Sequence, residues 1–125
     1  MPTLEQIGSE KYASLTTFRK DGRPVATPVW ILPAGRGVAV WTESDSWKVK
    51  RVRNNPNVTV TACDIRGNVR GDAVEGRARI GDDAERDHFA RELGKKYKML
   101  GLVGMLRYRF LRHRDRITVI IVEPV

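Results

Sequence analysis

Two segments of this 125-residue chain are apolar on both sides of an extended backbone, and that restricts the folds open to it. In PVATPVWIL, residues 24–32, period-2 alternation puts Val25, Thr27, Val29 and Ile31 on one face. Ala26, Pro28, Trp30 and Leu32 fall on the other. RITVIIVEPV, residues 116–125, is again apolar on both faces. A strand on a half-solvated sheet needs one apolar face only, so both segments require cover on two sides, inside a small barrel or at a subunit interface. Pro28 cannot donate to a ladder, which implies a sheet edge or a bulge there.

Turn and breaker residues set the order of elements. YASLTTF (12–18) leads through Asp21-Gly22 into PVATPVWIL, and Asp-Gly predicts a type I′ hairpin turn with positive φ at both central residues. AGRG (34–37) then turns into VAVWT. NVTVTAC (57–63) alternates, with Val58, Val60 and Ala62 inward and Asn57, Thr59 and Thr61 outward. DIRGNVRG is a polar connection to AVEGRARI, where Gly76 marks a candidate bulge. Residues 81–115 read as helical: Asp82 and Glu85 form a capping box, and Phe89, Leu93, Tyr97 and Leu100 make one apolar stripe. Leu102, Leu106 and Phe110 make a second stripe, divided from the first by Gly101 and Gly104. The expected order is three strands, a short helix, two strands, long helices and a last strand, in a single domain spanning residues 1–125.

The short helix is the chemically suggestive element. SDSWKVKRVRNNP (44–56) has Ser44, Asp45 and Ser46 as N-cap candidates and Asn54-Asn55-Pro56 as a stop. Val49 and Val52 share a buried face, while Lys48 and Arg51 share a different flank. Four cations in six positions, Lys48, Lys50, Arg51 and Arg53, admit three readings: a nucleic-acid patch, a solvated helix face, or a clamp for a small anion. A formal net charge of +8 attracts polyanions of any of these kinds without choosing among them.

Other chemistries lack their residues. One cysteine, Cys63, allows no internal disulfide framework, and His88 and His113 alone form no metal-ligand cluster. There is no Gly-rich phosphate loop, no G-x-G-x-x-G after a strand and no serine elbow. No apolar run approaches the roughly 20 residues of a membrane span, and no leader pattern opens the chain, so a cytoplasmic protein is expected. An enzyme built on this sequence would need a cofactor to carry its reaction.

Taken together, YASLTTFRKDGRPVATPVWIL, VWTESDSWKVKRVRNNPNVTVTACDIRG and VEGRARI resemble the flavin/deazaflavin split-barrel proteins, relatives of pyridoxamine 5′-phosphate oxidase. Within that group the chain is most similar to the small coenzyme F420-dependent reductases of the B type, over residues 10–122. The resemblance implies a mainly β (α+β) fold, a six-stranded antiparallel split β-barrel with flanking helices. It also implies a homodimer with two cofactor sites at the subunit interface. The cofactor phosphate would be held at Lys48, helped by Ser46, Lys50 and Arg51, and the ring would lie along Pro28, Val29 and Trp30. Trp41, Thr42, Ala62, Cys63 and Asp64 fall near the site, and Trp47 is either a lid on the ring or a partner for the valines.

The implied activity is hydride transfer from reduced F420 to a small electron-poor organic acceptor, with no general acid or metal identified and no nucleic-acid partner. The alternatives are an FMN-binding oxidase or flavin reductase and a non-catalytic cofactor-binding protein. The cationic excess suits the phosphodiester and glutamates of F420 better than the single phosphate of FMN.

Overall fold

Why two strands carry apolar residues on both faces becomes plain in the computed structural model, which describes residues 2–96 and 116–125. The elements are α1 (Leu4–Ile7), β1 (Tyr12–Phe18), β2 (Pro24–Ala34), β3 (Gly37–Glu43), α2 (Trp47–Asn54), β4 (Asn57–Cys63), β5 (Val74–Ile80), α3 (Asp83–Lys96) and β6 (Ile117–Pro124). All six strands pair antiparallel into one closed barrel, ordered β1-β2-β3-β6-β5-β4. β6 thus inserts between β3 and β5. Its inward residues Ile120 and Val122 join the barrel core, and its outward residues Val119 and Ile121 pack with Phe89 and Leu93 of α3. β2 divides likewise, with Val29 and Ile31 inside and Leu32 and Trp30 on the α3 side. Burying each such aliphatic side chain contributes roughly 1.5–3 kcal/mol, so a two-faced strand is doubly anchored.

Toward its N-terminal end β2 loses its outer cover, and Pro24, Ala26 and Pro28 are exposed. The β2–β3 ladder starts at Ile31, so Pro28 pairs only with Ser14 of β1. The edge implied by the proline is therefore local to one half of a strand in a closed barrel.

The β1–β2 hairpin forms at Asp21-Gly22 but not with a type I′ turn. Only Gly22 has positive φ (89°); Asp21 does not. Gly22 N–H donates to Arg19 O and Arg19 N–H to Arg23 O, both at 2.9 Å, giving a three-residue loop closed by a left-handed glycine. The Asp21 carboxylate holds it by accepting from the Arg23 backbone N–H and Nε. A two-residue turn centred on the same pair would place Tyr12 opposite Ile31. The observed loop places Tyr12 opposite Trp30, on the outer surface, and Leu15 opposite Thr27.

Two further expectations shift, and one helix joins the expected elements. Gly76 is no bulge: its register runs unbroken against Val58 and Pro124. A Cβ there would come within 2.3 Å of Val122 Cγ1, so glycine permits close approach of β5 and β6. In β4, Val58 and Val60 face the core as expected, but Ala62 is only half-buried while Thr61 and Cys63 are buried. The 64–70 connection folds back and covers the outer face: Arg70 N–H donates to Ala62 O at 2.8 Å, and Val69 bridges Cys63. Finally α1, too short for a periodic signal, is fixed by a Thr3–Gln6 capping box and buries Leu4 and Ile7 in the barrel core.

The Asp82–Glu85 capping box forms, with Asp82 Oδ1 accepting from Glu85 N–H at 2.8 Å and Glu85 Oε1 accepting from Asp82 N–H at 3.0 Å. Phe89 and Leu93 are buried as the stripe requires. Tyr97, Leu100, Leu102, Leu106, Phe110, Gly101, Gly104 and His113 lie outside the described residues. Lys96 Nζ donates to the carbonyls of Gly8, Glu10 and Ile31, tying the described end of α3 to the α1–β1 link and to β2. Burial pushes its ammonium down to about 8.

Two outcomes follow. Gly76→Ala is expected to cost about 1–3 kcal/mol in urea unfolding, the range for overpacking. Adding Val122→Ala, which removes the opposing methyl, should make the double variant lose less than the two singles summed. Arg79 pairs bidentately with Glu85 at 2.7 and 2.8 Å, and this holds the Glu85 carboxyl at about 2, against an ordinary 4.5. The unfolded chain therefore takes up the proton first as pH falls. The pair's stabilisation, about 0.5–1 kcal/mol for a solvent-screened pair, is full above about pH 4.5 and lost toward pH 2. Glu85→Gln should flatten the stability profile across that window.

Candidate functional site

Helix α2 presents the charged residues and is itself set by two valines. Val49 and Val52, 0% and 3% exposed, enter the same core as Leu15, Val29, Val60 and Ile120. Ser46 is the N-cap, its Oγ accepting from Val49 N–H, and Asn55 ends the helix. Thr42 Oγ1 lies 3.3 Å from Ser46 Oγ, linking the cap to the end of β3. With the valines inward, the remaining positions divide between two clefts.

The first cleft, of about 250 Å³, is lined by Tyr12, Pro28, Val29, Trp30, Trp41, Thr42, Lys48 and Ile65. It brings together Pro28, Val29, Trp30, Thr42 and Lys48 from the expected set, with Trp41 beside them. Ser46 joins through Thr42. Lys48 stands in the first turn of α2, where backbone N–H groups lack intrahelical partners and the helix dipole is positive. Among the described residues no hydrogen bond or ion pair reaches its ammonium. Burial holds its pKa below the usual lysine range, Arg51 adds to that, and Glu43 opposes it. A desolvated, unpaired cation in an aromatic cleft is a site where an anion gains most from charge-assisted bonding.

The second cleft, of about 420 Å³, runs along the outer side of α2 beneath the β1–β2 turn. Phe18, Arg19, Lys20, Trp47, Lys50, Arg51 and Asn54 line it. Arg51 is near enough to Lys48 to lower its pKa, in keeping with a shared flank, but it opens to this other cleft. Its Nε donates to Thr17 Oγ1 at 2.6 Å, and Thr17 is fully buried. Trp47 does not cover the valines: it is 69% exposed, with Lys50 Nζ 4.4 Å from its ring centroid.

Ala62 and Cys63 line neither cleft. Cys63 is 2% exposed and opposite Tyr12. Burial, then Asp64, pushes its thiol up, which disfavours the nucleophilic thiolate form. Asp64 instead organises its own turn, accepting from Arg66 N–H, Asn68 N–H and Asn68 Nδ2. Residues missing from the expected set are Tyr12 and Ile65 in the first cleft and Phe18, Arg19, Lys20 and Asn54 in the second. Tyr12 could be found only from the true hairpin register, and Ile65 only from the fold-back of the 64–70 connection.

Against known proteins, the family model described as pyridoxamine 5′-phosphate oxidase matches residues 3–124. The chain belongs to the pyridoxamine 5′-phosphate oxidase family. This family binds flavins and includes oxidoreductases. No curated protein matches the chain. Among solved structures, HutZ, a heme storage protein from Vibrio cholerae, superposes with a TM-score of 0.70 at 13% identity, over 93% of this chain and 82% of that one. An F420 reductase superposes with a TM-score of 0.61 at 19% identity, over 100% and 96%. An FAD-binding protein from Mesorhizobium loti gives 0.62 at 15% identity, over 95% and 84%. At such identities the likeness is one of fold, and the names of these three proteins differ in the group they mention.

Ser46→Ala removes the cap that fixes α2 and with it the first turn carrying Lys48. We expect a loss of about 1 kcal/mol in chemical denaturation, while Asp45→Ala, outside the cap hydrogen bond, should stay near wild type.

Proposed function

We propose that the chain is an F420-dependent oxidoreductase that reduces a small electron-poor organic acceptor. The observation that carries this reading is Lys48, a desolvated ammonium without a hydrogen-bond partner among the described residues, at the capped start of α2 and beside an aromatic cleft. Such a residue fits a cofactor phosphate, and the apolar wall of Tyr12, Pro28, Val29 and Trp30 fits the flat body of a deazaflavin. The cationic excess favours a cofactor with more than one negative charge, as F420 has.

Lys48, with the free N–H groups of the first turn, binds the phosphate and fixes the cofactor along the cleft. Trp30, Trp41 and Tyr12 exclude water from the side of the ring they border, and the β2 backbone at Pro28–Trp30 sets its plane. When bound, reduced F420 supplies the hydride at C5 of the deazaflavin. A cleft of about 250 Å³ falls below the ~300–1,000 Å³ of most ligand sites, which supports a homodimer whose second subunit supplies the remaining wall.

Lys48→Ala should weaken F420 binding by about 1.5–3 kcal/mol, the range for a hydrogen bond to a charged group, with the circular dichroism spectrum unchanged. The test is a fluorescence titration with F420 and FMN side by side. An unchanged F420 dissociation constant removes Lys48 from the site. Tighter binding of FMN than of F420 by the wild-type chain selects flavin chemistry in place of deazaflavin chemistry.

A further inference from the structure

The cleft on the outer side of α2 is not needed by the reading above, yet it has the composition of a ligand site. Four cations line it, Arg19, Lys20, Lys50 and Arg51, and among the described residues none of them is paired with a carboxylate. Lys50 lies over the Trp47 ring and Arg51 donates to the Thr17 hydroxyl, so the polar contacts they make are to neutral groups. Burial and then the nearby Arg19 disfavour the charge of Arg51. Like charges gathered around one cavity destabilise the free protein, and a multiply charged anion relieves the repulsion.

The cleft also has aromatic walls. Phe18 forms part of it, and Trp47 is 69% exposed at the head of α2 instead of joining the core. An indole left open beside unpaired cations suits a planar ring carrying charge: the ring stacks, and the charge is held at the rim. The volume of about 420 Å³ lies within the ~300–1,000 Å³ of small-molecule pockets. We infer that this cleft is a second binding site, separate from the Lys48 cleft, for a planar aromatic polyanion of the nucleoside-phosphate class. It rests on Trp47, Lys50 and the β1–β2 turn, not on Lys48.

The test is isothermal titration calorimetry of the full chain with adenosine diphosphate, adenosine and pyrophosphate as separate titrants. Adenosine diphosphate should bind at least tenfold more tightly than either fragment, because both stacking and charge are required. Trp47→Leu and Arg19→Ser should each weaken it about tenfold, and both positions are exposed surface where the fold survives. Lys48→Ala should leave this binding unchanged while it weakens F420, which separates failure here from failure of the proposed function. No heat with millimolar adenosine diphosphate overturns the inference. So does pyrophosphate binding as well as adenosine diphosphate, which would make the cleft a plain anion patch. Loss of adenosine diphosphate binding in Lys48→Ala also overturns it, by making the cleft an extension of the cofactor site.

Discussion

Burial of Val49 and Val52 in the barrel interior is the interaction on which the candidate site depends. An eight-residue helix is too short to hold its shape in water by itself, so its packing against the barrel decides its orientation. Once the valines point into the core, Lys48 stands at the mouth beside β2 and β3, and Trp47, Lys50 and Arg51 fall along the outer side. The Ser46 cap and its link to Thr42 then fix where the first turn begins. Chemistry on α2 is thus dictated by the two residues in it that carry none.

The barrel gives that helix something rigid to pack on. Inserting β6 between β3 and β5 closes the sheet, so the described strands leave little free edge for unwanted pairing. The exception is the N-terminal half of β2, where Pro24, Ala26 and Pro28 are exposed and Pro28, without a β3 partner, lines the Lys48 cleft. Proline there lacks a backbone donor, which disfavours strand addition along that stretch.

Much of this was legible in the sequence because the signals were local or periodic. Double-faced β6, the bounds of α2 and the Asp82–Glu85 capping box depend on neighbours within a few residues and formed as read, while β2 is covered on both sides only in its C-terminal half. Register was harder: Asp21-Gly22 marks a turn in either loop length, and one residue of difference moves Tyr12 from opposite Ile31 to opposite Trp30. Gly76 read as a bulge because a glycine in a strand has two explanations, and only the position of Val122 decides between them. The same limit split the site. Spacing put Lys48 and Arg51 on one flank, but strand β1, distant in sequence, claims Arg51 through Thr17. Cys63 and Ala62 looked close to the site along the chain, yet the 64–70 fold-back covers that end of β4.

The central claim is that the Lys48 ammonium holds the cofactor phosphate, and the dissociation constant of F420 measured against pH tests it most directly. Because burial and Arg51 lower the Lys48 pKa in the free protein, affinity should be flat near neutrality and fall as pH rises through a point below 10.5. Lys48→Arg, which stays charged throughout, should abolish that fall. An affinity that stays flat to pH 10.5 in the wild-type chain, or the same fall persisting in Lys48→Arg, would contradict the account.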